Sequence, residues 1–157
     1  MAAQLFWETG RTANQMPPAR ASDFSQQAKK SAATRVLVVD DEPLVRWSVS
    51  ETLSAHGYEV LEAGNARSAL NAVADPSRPI DVVFLDLKLP DCGDLQLLAS
   101  MRRVSPMTPL ILMTAHATPE IAADALRLGA IAVVEKPFEI DDLAPLVWSA
   151  IQRRRPD

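Results

Sequence analysis

What this chain has little of narrows its class first. It carries one cysteine, Cys92, so no internal disulfide can staple it, which suits a reducing compartment. Its apolar runs stop at about the length of a buried strand, far short of the ~20 residues that cross a bilayer. Met1 to Lys30 lacks the apolar stretch of ~7–15 residues that a secretory signal needs. Basic charge is scarce as well, with 16 Lys and Arg against 20 Asp and Glu. Phosphate contacts dominate nucleic-acid affinity, so a net charge of −4 argues against direct binding of DNA or RNA.

What is present is ordinary globular composition, 48% apolar and 23% charged. A length of 157 residues suits one domain, since single cores serve roughly 100–200 residues. The charge is unevenly spread. Before Arg35 the basic residues Arg11, Arg20, Lys29 and Lys30 outnumber Glu8 and Asp23, whereas the remainder holds 12 basic and 18 acidic residues. The run Arg153-Arg154-Arg155 is placed to offset a helix dipole.

Residues 1–34, rich in Gln, Ala, Ser and Thr and holding Pro17-Pro18, read as a flexible leader, with Leu5-Phe6-Trp7 an incidental apolar cluster. From Arg35 the pattern becomes regular. Val36-Leu37-Val38-Val39, Tyr58 to Glu62, Val82 to Leu85, Leu110 to Met113 and Ile131 to Val134 read as strands, each followed by a segment of helical period. The helices are expected over 44–56, 66–74, 95–104, 118–128 and 141–154, with Gly57 and Gly129 as stops and Asn65 and Thr118 as N-caps. Strand–helix alternation at this spacing builds right-handed βαβ units, and continuous apolar strands require cover on both faces. The expected architecture is an α/β (βα)5 doubly wound three-layer sandwich. Five βα units fill residues 35–152, leaving the leader of 34 residues and a short basic tail, 153–157, so no effector module is expected within the chain.

Ligands of such sheets sit beyond the carboxyl ends of the strands. The first strand ends in Asp40-Asp41, the third in Asp86, the fourth in Thr114, and the fifth just before Lys136. Three carboxylates at one sheet edge repel one another and raise one another's pKa unless cations compensate. Lys136 supplies one charge, and a hard divalent ion such as Mg²⁺, at home among carboxylates, a carbonyl, waters and phosphoryl oxygens, supplies the rest.

Val38-Val39-Asp40-Asp41-Glu42-Pro43, Leu85-Asp86-Leu87-Lys88-Leu89-Pro90-Asp91, Met113-Thr114-Ala115 and Lys136-Pro137-Phe138 resemble the motifs of bacterial two-component response-regulator receiver domains, in family order and spacing. The stretch Asp41 to Ser48 is most similar to receivers of enhancer-binding transcription activators. The resemblance implies a flavodoxin-like parallel sheet of order 2-1-3-4-5. It implies that Asp86 accepts a phosphoryl group from a sensor histidine kinase or a histidine phosphotransfer protein. Asp40, Asp41, Asp86 and the backbone carbonyl of Lys88 would hold Mg²⁺. Lys136 would pair with Asp86, Thr114 would report phosphorylation, and Lys136–Pro137 would be cis. Activity beyond self-phosphorylation from small donors and autodephosphorylation is not expected, nor is a membrane association. A cytoplasmic phosphorelay, passing its signal to a protein partner or a second copy through the face of the fourth helix, fifth strand and last helix, is the implied setting.

Lys88 and His116 are expected at the rim of the site, shielding the phosphoryl group from water. Trp47 and Trp148 fall off the apolar stripes of their helices and read as exposed, Trp148 on the partner face. Departures from the family pattern concern the relay. Val133 stands where an aromatic is usual, Ala132 where Asp often follows Gly-Ala-x, and the loop Asp91-Cys92-Gly93-Asp94 reverses the usual order of Gly and Asp. They keep open an alternative, a pseudo-receiver or scaffold that binds partners without phosphorylation. A phosphohydrolase with an aspartyl nucleophile would want a second Asp where Lys88 stands, and is rejected.

Overall fold

The apolar runs that start at Arg35 become strands because each alternates between two covered faces. The structure, a computed structural model, describes residues 5–7, 33–93 and 95–154. Its strands are β1 (Leu5–Trp7), β2 (Arg35–Val39), β3 (Glu59–Ala63), β4 (Val82–Asp86), β5 (Leu110–Thr114) and β6 (Ala132–Glu135). Its α-helices are α1 (Pro43–Ala55), α2 (Ala66–Ala74), α3 (Gln96–Val104), α4 (Pro119–Arg127) and α5 (Leu143–Arg154), the last preceded by a 3-10 turn at Ile140–Asp142. Counted from Arg35, the five parallel strands lie in the order 2-1-3-4-5.

Within β2 and β4 the residues divide by parity. Leu37, Val39, Val83 and Leu85 join the core under α2, α3 and α4, together with Leu97, Leu98, Met101, Ala122 and Ala125. Val36, Val38, Val82 and Phe84 join the opposite core, with Val49 and Leu53 of α1 and Leu143, Leu146, Val147 and Ala150 of α5. A side-chain period of two with both faces buried is why these strands read as unbroken apolar runs. Local signals set the helix ends. Asn65 accepts the Ser68 N–H at 2.8 Å and Thr118 accepts the Ile121 N–H at 3.2 Å. Gly57 and Gly129 leave their helices at φ 89° and 107°, a conformation that side chains with a Cβ resist.

Several expectations need correction. Leu5–Trp7, placed in a flexible leader by its composition, pairs antiparallel with β6 as a sixth strand, Leu5 opposite Val134 and Trp7 opposite Ala132. Three apolar residues carry no period to read, but an edge strand with unpaired N–H and C=O groups accepts any short extended segment. The other leader positions, 1–4 and 8–32, lie outside the described residues, as do Asp94 and 155–157. At the other end, α5 runs to Arg154 as the helical pattern predicts, so that helix takes in the first two positions of the expected basic tail. Tyr58 is a buried residue ahead of β3, not its first residue. Trp47 is 60% exposed as expected, whereas Trp148 is half-buried in α5. Among the described residues no helix is long and apolar enough to cross a membrane.

Candidate functional site

Register delivers the acids to one place. Val39 pairs with Leu85, so the residues that follow, Asp40 and Asp86, reach the carboxyl edge of the sheet side by side. Carboxylate oxygens of Asp40, Asp41 and Asp86 all lie within 4.8 Å of one another. Asp40 is fully buried and Asp86 nearly so, while Asp41 is exposed. Lys136, carried in by the loop after β6 through the cis bond to Pro137, adds its ammonium to the cluster.

That ammonium is not shared evenly. Lys136 Nζ lies 2.6 Å from Asp40 Oδ2, 3.5 Å from Asp86 Oδ1 and 4.0 Å from Glu42 Oε1. The sequence expectation pairs Lys136 with Asp86; the structure gives it first to Asp40. The reason is desolvation. Asp40 is cut off from water, and a buried carboxylate without a close cation is the costlier arrangement. Its second oxygen, Oδ1, accepts the Glu42 N–H at 2.9 Å.

Burial pushes the Asp86 carboxyl up to about 6, against the opposing pull of Lys136 and with the help of the Asp40 charge. The Lys88 N–H, 3.4 Å from Asp86 Oδ1, and the ammonium of Lys136 as a hydrogen-bond donor add smaller downward effects. For Lys136 burial favours the neutral amine, but the hydrogen bond and charge of Asp40, then the charges of Asp86 and Glu42, together hold its pKa above the ordinary lysine value. The donor set fits a hard divalent cation. Three carboxylate oxygens converge, one carboxylate is open to solvent, and oxygen ligands of this kind are what Mg²⁺ takes alongside waters.

Thr114 is buried at the end of β5, its Oγ1 accepting the His116 N–H at 3.2 Å and its carbonyl accepting the Lys136 N–H at 2.7 Å. The side chains of Lys88 and His116 are exposed at the rim. Val133 is completely buried with Leu112, Ala122 and Ala125, so the position where an aromatic is usual is a plain core position here. Cys92 forms a small bridge with Leu89 in the loop after the acceptor. A groove of about 560 Å³ opens beside Lys136, between α1 and the segment that follows, lined by Leu44, Val45, Ala115, Phe138 and Ile140.

Two residues near the site escaped the reading of the sequence. Asp91 accepts the N–H groups of Ala66 at 2.8 Å and Arg67 at 3.1 Å, tying the acceptor loop to the start of α2. Those bonds hold its carboxyl below the usual range. Its presence in the motif was visible, but its partners lie 25 and 24 positions away. Arg46, which lies within the stretch from Asp41 to Ser48, donates to the Asp40 carbonyl at 2.7 Å.

The family model described as response regulator receiver domain matches residues 36–147. The chain is 43% identical over 122 residues to Regulatory protein AtoC of Escherichia coli (strain K12), covering 78% of this chain and 26% of AtoC. It is 36% identical over 116 residues to DNA-binding transcriptional regulator NtrC of Escherichia coli (strain K12), covering 74% of this chain and 24% of NtrC. The chain thus spans about a quarter of the length of these curated relatives. Among solved structures it is similar to a response regulator receiver domain protein (CheY-like) from Methanospirillum hungatei JF-1. The TM-score is 0.73 and the identity 28%, over 78% of this chain and 97% of that one.

Proposed function

The chain belongs to the response regulator receiver domain family, and on that premise we propose that residues 35–152 accept a phosphoryl group on Asp86 and switch a partner in response. One observation carries the reading. Carboxylate oxygens of three acids within 4.8 Å share an edge with a partly buried lysine, an arrangement that costs stability and that a metal ion would balance. Mg²⁺, held by Asp40, Asp41, Asp86 and the backbone carbonyl of Lys88, would supply positive charge against the oxygens of the transferring phosphoryl group.

The protein's own part is positioning and charge. With its carboxyl at about 6, Asp86 is mostly anionic at neutral pH and can act as nucleophile. In the transfer the P–N bond of a donor phosphohistidine breaks as a P–O bond to Asp86 forms, and the donor imidazole leaves with a proton from solvent. Lys136, 3.5 Å from Asp86, is near enough to pair with the new phosphoryl oxygens, which favour a cation throughout the step. Thr114 would exchange its bond to the His116 N–H for one to the phosphoryl group and so report the modification.

The donor would be a sensor histidine kinase or a histidine phosphotransfer protein in the cytoplasm. The groove beside Lys136, lined by Leu44 at 81% exposure and Ile140 at 50%, supports docking of that donor next to the acceptor. The downstream partner, or a second copy, would use the face of α4, β6 and α5. Since β1 already pairs with β6, such a partner would engage the helices or displace β1. Val133 favours one rival, a scaffold that binds partners without phosphorylation, because no aromatic side chain is present there to move with Thr114.

A small phosphodonor with Mg²⁺ separates the two. The wild type is expected to gain the mass of one phosphoryl group and Asp86→Asn none. A wild type that gains no mass gives the scaffold the stronger claim.

A further inference from the structure

Asp40 is gripped at each of its polar groups. Its N–H donates to the Ala63 carbonyl at 3.1 Å, Oδ1 accepts the Glu42 N–H at 2.9 Å, and Oδ2 accepts Lys136 at 2.6 Å. The remaining group, its carbonyl, accepts Nη1 of Arg46 at 2.7 Å. That carbonyl belongs to the peptide joining Asp40 to Asp41. A bond to it fixes the plane of the peptide, and with it the direction in which the exposed side chain of Asp41 leaves the backbone.

The reach of Arg46 follows from its place in α1. It lies in the first turn after Pro43, and helical side chains lean toward the N-terminus, back over the Asp40–Asp41 turn. Helix stability gives no reason for a cation here, because a positive charge near a helix N-terminus opposes the macrodipole. The guanidinium is held in turn by Glu62 at the end of β3, whose Oε1 lies 3.2 Å from Nε. A planar fork can serve both partners in different directions, which an ammonium cannot.

Gly64 completes the fit. A Cβ there would stand 3.2 Å from Nη1, the same nitrogen that bonds the Asp40 carbonyl. Gly64 does not have the positive φ of Gly57 and Gly129, so its missing side chain makes room for the guanidinium rather than for a backbone turn.

We propose that Arg46 is a positioning residue for the metal site, fixing the Asp40–Asp41 peptide so that both carboxylates face the ion, with Glu62 and Gly64 keeping the guanidinium in place. The proposal rests on the Mg²⁺ reading given above. Partners that orient metal ligands commonly contribute 10–100-fold in affinity, so Arg46→Ala is expected to raise the Kd for Mg²⁺ at least about tenfold. Arg46→Lys should recover little of that loss. Gly64→Ala, which keeps the whole arginine, should weaken Mg²⁺ in the same direction by a smaller factor.

The test is isothermal titration of the full chain with Mg²⁺, alongside Tm measured with and without the ion. Ion binding raises Tm according to Kd, so the Mg²⁺-induced rise should shrink in these variants. A merely structural arginine would lower Tm equally in both conditions and leave Kd unmoved, which overturns the proposal. If Arg46→Ala does not fold, Gly64→Ala and Glu62→Gln decide, and Kd values equal to wild type in both overturn it. A wild type that binds no Mg²⁺ overturns the metal reading and this role together, whereas equal Kd values in a wild type that does bind Mg²⁺ remove only the role of Arg46.

Discussion

Lys136 Nζ approaches Asp40 Oδ2 to 2.6 Å, nearer than the 3.5 Å that separates it from Asp86 Oδ1. The lysine is therefore the counter-ion of the most deeply buried acid before it is a partner of the acceptor. Removing it strands a carboxylate out of water, and breaking a buried pair from one side costs about 3–5 kcal/mol. Lys136→Met should lose about 3 kcal/mol of unfolding free energy in urea with a chelator present. Added Mg²⁺ should restore more stability to this variant than to the wild type, because it replaces the missing charge. A loss below about 1 kcal/mol would remove the pair from the account of stability.

The raised carboxyl of Asp86 makes a pH prediction for the metal-free protein. Its pKa is about 6 in the fold against 3.8 for the free side chain. Between those values the folded state keeps the proton that the unfolded state has released. Stability from this group is therefore present below pH 4 and declines as pH rises to about 6, by an amount on the order of 3 kcal/mol. Asp86→Asn cannot titrate there. The stability of wild type minus that of Asp86→Asn should accordingly fall across the window in urea titrations with chelator. A flat difference from pH 4 to pH 7 would contradict the raised value.

Much of the site was legible because topology does the gathering. The pair Asp40-Asp41, Asp86, Thr114 and Lys136 are far apart in sequence, yet each ends a strand or follows one, and a parallel sheet sends those ends to one edge. What stayed hidden depends on partners that carry no sequence mark. Arg46 acts on a backbone carbonyl, a group that every residue has, and its space is set by the hydrogen at Gly64. Asp91 caps a helix from another part of the chain. The preference of Lys136 for Asp40 was hidden too, since counting charges treats all carboxylates alike and only burial tells them apart. Strand β1 is the limiting case. Its three residues are recruited by an open sheet edge rather than by any pattern of their own.

Lys88 and His116 stand exposed, the first lying two residues beyond Asp86 and the second tied to Thr114 through its backbone N–H. On the proposed reading, bulk at these two positions would limit the approach of a hydrolytic water to a phosphoryl group on Asp86. Lys88→Ala and His116→Ala should each shorten the lifetime of the aspartyl phosphate, followed by loss of the phosphoryl mass after the donor is removed. An unchanged lifetime in both variants would end this explanation.

Deleting residues 1–10 should uncover the outer edge of β6. Unpaired strand edges invite pairing with another chain, so the truncated protein is expected to sediment with a higher average mass than the full chain at matched concentration. Equal masses would mean that the edge needs no cover. The Asp86→Asn variant of the full chain provides a control in which the edge stays paired.

The direction of β1 has a practical consequence. Leu5 faces Val134, two positions before Lys136, and Trp7 faces Ala132, so the strand begins at the reactive end of the sheet and runs away from it. A purification tag joined ahead of Leu5 would enter at the same edge of the sheet as the carboxylates, three strands from β4, and a polyhistidine tag would bring metal-binding imidazoles to that edge. Titrations of Mg²⁺ are therefore best made on protein with an untagged amino end. With the affinity handle joined after Asp157, an observed Kd can be assigned to the acids and not to the handle.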